Sequence, residues 1–233
     1  SPCVSGEETI DVPSHWVLRG EGRWGAPAYT NVDFPFPVDP PFPPEENPVG
    51  DYSRCFVCPE SWLTSGGQIR LRFEGVESQI VVWVNGQWIG MARGSRLAHE
   101  FDITQALVPG ENTVTLRVHQ FSAGSYLEDQ DQWWLPGVFR SVSLRYLPDF
   151  SIEDLWIDTD YEAGEGFATL ELRVRGEQSE TLEANLEIEG LGTSVLTLAR
   201  GEDGRYRSER IGLGNVQPWS PQSPKLYAAR VQA

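Results

Sequence analysis

Along most of the chain, apolar and polar residues alternate with a period of two, the pattern of strands that bury one face. Ile69, Leu71 and Phe73 alternate with Arg70 and Arg72, Val114, Leu116 and Val118 with Thr115 and Arg117, and Val142, Leu144 and Tyr146 with Ser143 and Arg145. Between Ile80 and Met91 two apolar runs flank Asn85-Gly86. That pair tolerates the positive φ angles of a type I′ turn, which predicts a β-hairpin. From Asn31 to Pro48 the chain is interrupted by Pro35, Pro37, Pro40, Pro41, Pro43, Pro44 and Pro48. Proline cannot donate to a ladder, so this stretch is expected to be an extended loop lying over the surface.

After Pro148 the aromatics thin out and the alternation becomes plainer. Ala168, Leu170, Leu172 and Val174 face one way against Thr169, Glu171, Arg173 and Arg175, then Leu182, Ala184, Leu186 and Ile188 against Glu183, Asn185, Glu187 and Glu189. Turns are expected at Gly164-Glu165-Gly166, from Gly190 to Gly192 and at Asp203-Gly204, with a last strand near Leu226 to Val231. Short strands at this spacing suggest a small antiparallel sandwich of immunoglobulin-like architecture. The expectation is an all-β chain of two domains, 1–148 and 149–233.

Length allows two cores, since 233 residues suffice for two ordinary domains. Charge narrows the partners. With 18 Lys+Arg against 34 Asp+Glu the formal net charge is −16, which repels phosphate backbones and anionic surfaces, so neither nucleic acid nor membrane is expected as a partner. No apolar run approaches the roughly 20 residues of a membrane span, and Ser1 to Thr9 does not resemble a leader. Three cysteines do not make a disulfide framework, and a reducing, cytoplasmic location is expected. Cys55 and Cys58 form a C-x-x-C in a strand-like setting, where residues i and i+3 point to opposite faces, and they read as buried or incidental thiols. His15, His99 and His119 are scattered singly, without zinc-ligand spacing.

The richest chemistry lies between Ser125 and Arg140. Glu128, Asp129 and Asp131 stand beside Trp133 and Trp134 and a Pro136-Gly137 turn. Carboxylates accept hydroxyl protons and aromatic faces cover C–H surface, which suits a neutral sugar. The same residues can also fix a loop. Glu128 and Asp129 are expected to hold the loop or pair with Arg140, and Trp133 and Trp134 to pack in the core or between domains. Trp62, Trp83 and Trp88 read as core, and the acidic face of the second domain as solvated.

Several stretches coincide, in order, with a known family. They are Ala26-Pro27-Ala28-Tyr29-Thr30-Asn31-Val32 before the proline segment, Gly50-Asp51-Tyr52-Ser53-Arg54, Pro59-Glu60-Ser61-Trp62 and Val84-Asn85-Gly86-Gln87-Trp88-Ile89-Gly90. Ser95-Arg96-Leu97 with Glu100-Phe101-Asp102-Ile103, Gly124 to Trp133 and Gly137-Val138-Phe139-Arg140 follow, then Pro218-Trp219-Ser220-Pro221 with Pro224-Lys225-Leu226-Tyr227. The chain resembles the N-terminal portion of a family 2 glycoside hydrolase of the large bacterial β-galactosidase type, over essentially its whole length.

That resemblance implies a jelly-roll, galactose-binding-like β-sandwich followed by an immunoglobulin-like β-sandwich. It implies a role beside a TIM barrel that carries the two catalytic glutamates, with no catalytic residue in these 233. Asn31 resembles the asparagine that reaches the galactose hydroxyls. Asp131 resembles the aspartate that contacts galactose and helps hold a sodium ion, shared with ligands from the barrel. Sodium and magnesium are implied for the parent enzyme, neither held tightly by this part. The implied partners are a β-galactoside, the chain's own barrel and, for the parent, further copies of itself. The alternative is a stand-alone carbohydrate-binding module.

Overall fold

A computed structural model of the chain describes residues 8–176 and 179–233. It is built almost wholly of β-strands, with one α-helix, Glu60–Thr64, and a few single-turn 3₁₀ segments among the described residues. The chain forms two compact units, Ser1–Pro148 and Asp149–Ala233. No helix among the described residues is long and apolar enough to cross a membrane.

The first unit is a jelly-roll sandwich. One antiparallel sheet takes Val49–Val57, Glu111–His119, Gln79–Val84 and Gln87–Arg93 in that spatial order, and a second takes Val142–Leu147, Gln68–Phe73 and His99–Asp102. Alternation aims Ile69, Leu71 and Phe73 from the second sheet and Ile80, Val82, Val84, Leu116 and Val118 from the first into one shared core. On the outer face of the second sheet Arg70, Arg72 and Arg145 all donate to Glu100. The polar half of the alternation is thereby cross-linked over three strands.

The expected hairpin forms at Asn85-Gly86, whose φ angles are 51° and 78°. Asn85 also ties the turn down, donating from Nδ2 to the Ala106 carbonyl and to Asn112 Oδ1 at 2.8 Å each and accepting from the Thr113 amide. Trp88 departs from its expected place in the core and is 60% exposed. Strand parity explains this, since Val82 and Val84 point inward, Trp83 points out, and Trp88 pairs directly opposite Trp83. Cys55 and Cys58 also part company. Cys58 is a free, buried thiol as expected, but Cys55 is disulfide-bonded, which corrects its reading as an incidental thiol.

The second unit is an immunoglobulin-like β-sandwich. Its strands run Ser151–Glu162, Glu165–Arg175, Tyr206–Arg207, Gly192–Arg200, Thr181–Ile188 and Ala229–Gln232, with Ile211–Asn215 also pairing to Glu165–Arg175. Leu170, Leu172, Ala184, Leu186 and Leu198 surround Tyr206, whose hydroxyl donates to the Ser179 carbonyl. Along Thr181–Ile188 burial alternates without a break, leaving Glu183, Asn185 and Glu187 exposed as the pattern predicts. The first turn sits one residue earlier than expected, at Ala163-Gly164, and the last strand starts at Ala229, with Leu226 exposed.

Candidate functional site

A short two-stranded ladder inside the first unit joins two segments a hundred residues apart. Ala28–Thr30 pairs antiparallel with Gln132–Trp134, in the register Ala28 with Trp134, Tyr29 with Trp133 and Thr30 with Gln132. Asn31 and Asp131, the two residues expected to meet the sugar, are the next positions beyond the last pair, and both are exposed. The register therefore sets an amide that donates and accepts beside a carboxylate that accepts, the combination a pair of neighbouring hydroxyls requires.

Parity divides this ladder into two faces. On one, Tyr29 stands opposite Trp133, their rings 5.5 Å apart and tilted. The Tyr29 hydroxyl reaches diagonally to donate to Asp131 Oδ1, the cross-strand neighbour two positions along. Asp131, by accepting that bond, holds the Tyr29 phenol above its ordinary pKa, so the hydroxyl stays a donor. One oxygen of Asp131 is thus committed and oriented. Tyr29 was not singled out from the sequence. Its signal was the three-residue alternation of Ala28-Tyr29-Thr30, too short to read without the partner strand.

On the other face, Trp134 is buried against Phe36 and Phe121 and donates from Nε1 to Thr30 Oγ1 at 2.8 Å. The expectation that both tryptophans pack is met by Trp134 alone, since Trp133 is 54% exposed. Adjacent strand residues point to opposite faces, so the pair divides between the two. The proline-rich loop closes over Trp134's side of the ladder. Phe36 inserts into the aromatic cluster, Tyr126 donates to the Phe42 carbonyl and accepts from the Asp39 amide, and Asn47 exchanges two hydrogen bonds with Phe121.

Glu128 holds the loop. Both oxygens of Glu128 are taken by Ser95, from its amide at 2.7 Å and its hydroxyl at 2.6 Å. Arg140 donates to the carbonyls of Glu74 and Arg96 at 3.2 and 3.0 Å, so the expected pairing of Glu128 or Asp129 with Arg140 is replaced by backbone partners. Asp129 Oδ1 is shielded from solvent without a hydrogen-bond partner among the described residues. Glu77, which sequence reasoning passed over, is buried beneath the loop. Burial pushes its carboxyl up, while Arg96 and the Leu135 amide pull it back.

Among the described residues no three His, Cys, Asp or Glu side chains converge. Asp131 offers one free oxygen, whereas a hard cation wants several oxygen ligands.

Comparison with known proteins identifies the family. Residues 3–148 match the model for the sugar binding domain of glycosyl hydrolases family 2, and residues 150–233 match a second model, glycosyl hydrolases family 2. The chain is 47% identical to a beta-galactosidase of Arthrobacter sp. (strain B7) over 97% of its length, and 38% identical to one of Leuconostoc mesenteroides over 95%. In each case it spans 22% of the relative's length. A beta-glycosidase structure from Bacteroides vulgatus superposes with a TM-score of 0.66 at 20% identity, over 96% of this chain and 27% of that one. A beta-glucuronidase structure from Bifidobacterium dentium gives 0.63 at 22% identity, over 78% and 36%. Those structures share the fold. Two consecutive matches that cover almost every residue, on a sandwich pair with a polar ladder end of this kind, place the chain in glycosyl hydrolase family 2.

Proposed function

We propose that this chain is the non-catalytic, N-terminal part of a retaining β-galactosidase. Its jelly roll completes the galactose subsite of a TIM barrel encoded elsewhere in the same protein, and both sandwiches buttress that barrel. The observation that supports the reading is that Asn31 and Asp131 are the next positions beyond the last pair of one ladder, in a chain that is 47% identical to a beta-galactosidase and spans 22% of its length. Asn31 would exchange hydrogen bonds with the sugar hydroxyls. Asp131, its Oδ1 held by Tyr29, would accept one from a hydroxyl through Oδ2 and supply one oxygen to a sodium ion whose other ligands come from the barrel.

Hydrolysis is assigned to the barrel on chemical grounds. A retaining glycosidase needs two carboxyl groups about 5–5.5 Å apart, one protonated and one free to attack. In the loop of this chain, Glu128 is engaged at both oxygens by Ser95 and Asp131 at one by Tyr29. They act as struts and positioners.

The test is to express the full-length protein and, separately, residues 1–233, and to assay chromogenic β-galactoside, β-glucuronide and β-mannoside. The full-length protein is expected to prefer the galactoside, and the shorter chain to turn over none. Free galactose should bind the shorter chain more weakly than about 1 mM, since two polar contacts from one wall offset little of the cost of fixing a small hydrated ligand. A full-length protein that prefers the glucuronide, or turnover by residues 1–233 alone, refutes the proposal.

A further inference from the structure

The turn Ser95-Arg96, between strands Gln87–Arg93 and His99–Asp102, gathers three separate tethers to the loop that carries Asp131. Ser95, 2% exposed, donates twice to Glu128. Arg96 donates from Nη1 to Glu77 Oε2 at 2.8 Å, and Glu77 Oε1 accepts from the Leu135 amide at 3.1 Å. The Arg96 carbonyl accepts from Arg140. The ring of Phe139 lies 4.9 Å from the Arg96 guanidinium and 5.2 Å from that of Arg140, and is stacked on His15 at 5.1 Å. Residues 128, 135 and 140 are thus anchored to two adjacent residues of another loop.

We infer that Ser95, Arg96 and Glu77 form a clamp whose work is to fix the position of Asp131, and so to set how tightly the sugar is held. The inference rests on the reading of Asp131 as a substrate contact. Asp131 lies three residues from Glu128 and four from Leu135, and a residue spans at most about 3.6 Å, so anchoring both flanks limits how far its Cα can move from either anchor. The ladder to Ala28–Thr30 and the Tyr29 hydrogen bond then fix its orientation. The clamp's hydrogen bonds end on residues 128, 135 and 140, so its influence on a ligand is taken to pass through the loop. Their composition also fits a positioning role. In the Arg96–Glu77 pair the carboxylate is buried and the guanidinium partly exposed. Such a pair adds little net stability, whereas its hydrogen bonds impose one geometry. At a binding site an error of about 1 Å is enough to cost a large factor in rate.

The experiment uses the full-length protein and a chromogenic β-galactoside. Ser95→Ala and Arg96→Met are each made in the native background and in Asp131→Ala. In the native background each should raise KM by about 10-fold with kcat within about 3-fold. In Asp131→Ala the same substitutions should change KM by less than about 2-fold, because the residue they position is gone. Melting temperature should fall equally in both backgrounds, separating positioning from stability. Equal KM changes in the two backgrounds, or none in the native one, overturn the clamp and leave the reading of Asp131 standing. An Asp131→Ala single variant with unaltered KM instead overturns that reading, and the clamp with it. Should Arg96→Met fail to fold, Ser95→Ala, which removes one hydroxyl, decides the matter by the same comparison.

Discussion

Replacing Glu100 by glutamine tests whether the outer face of the jelly roll is held by charge. Glu100 Oε1 accepts from Arg72 at 2.7 Å and Arg145 at 2.8 Å, and Oε2 from Arg70 at 3.0 Å. Burial pushes its carboxyl up, yet the hydrogen bonds from Arg72, Arg70 and Arg145 outweigh burial and hold it at about 2. Set against an ordinary glutamate pKa of about 4.3, that difference corresponds to about 3 kcal/mol of stability at neutral pH. Glu100 is 21% exposed, so most of this survives screening, but Arg145 is half exposed and contributes less. A loss of about 2 kcal/mol is expected for Glu100→Gln, which also turns an amide N–H₂ toward three guanidinium groups. A depressed carboxylate stabilises fully above its unfolded pKa and ceases to do so as pH falls through its folded one. The gap between native and Glu100→Gln should therefore be constant from about pH 7 to 5 and shrink steadily between about pH 4.3 and 2. Urea unfolding of residues 1–233, followed by fluorescence of the first unit's tryptophans, measures it. A gap that does not change with pH, or that is absent at pH 7, refutes the electrostatic account.

Trp134→Ala should cost about 3–5 kcal/mol, since it empties an aromatic cluster and orphans Thr30 Oγ1. Trp133→Ala, on the open face, should change thermal stability by less than about 1 kcal/mol. Asn85→Ala should cost about 2–3 kcal/mol in thermal unfolding, because it removes three side-chain hydrogen bonds and places a Cβ residue without that compensation at a φ of 51°. Asn85→Gly, which relieves the backbone term, should recover only part of the loss.

Wherever one period governed both sequence and structure, the fold was legible. Along Thr181–Ile188 every residue faces as its polarity predicts, and Asn85-Gly86 makes the turn that its φ tolerance allows. Trp83 and Trp88 were misread as core from their strand and turn contexts, while parity aims Trp83 outward and Trp88 pairs directly opposite it. Periodicity alone could not bring Asn31 to Asp131, because a three-residue strand gives no register until its partner is known. That expectation came through likeness to a family. Tyr29, Ser95 and Glu77 act through hydrogen bonds that span 102, 33 and 58 residues, distances over which local pattern carries no information. Cys55 escaped for a similar reason, since its nearest cysteine in sequence, Cys58, is not the one it bonds.

The split of Trp133 from Trp134 has a consequence for how such a domain can change. Because neighbouring residues of the ladder serve opposite faces, the structural duty rests on positions 134, 30 and 28, and in the proposed function the ligand-facing duty falls to 133, 29 and 131. A substitution on the second set leaves the aromatic cluster intact, so on the proposed reading sugar preference can drift there without first eroding the fold. The ladder works as an interchangeable fitting on a fixed frame, three residues wide.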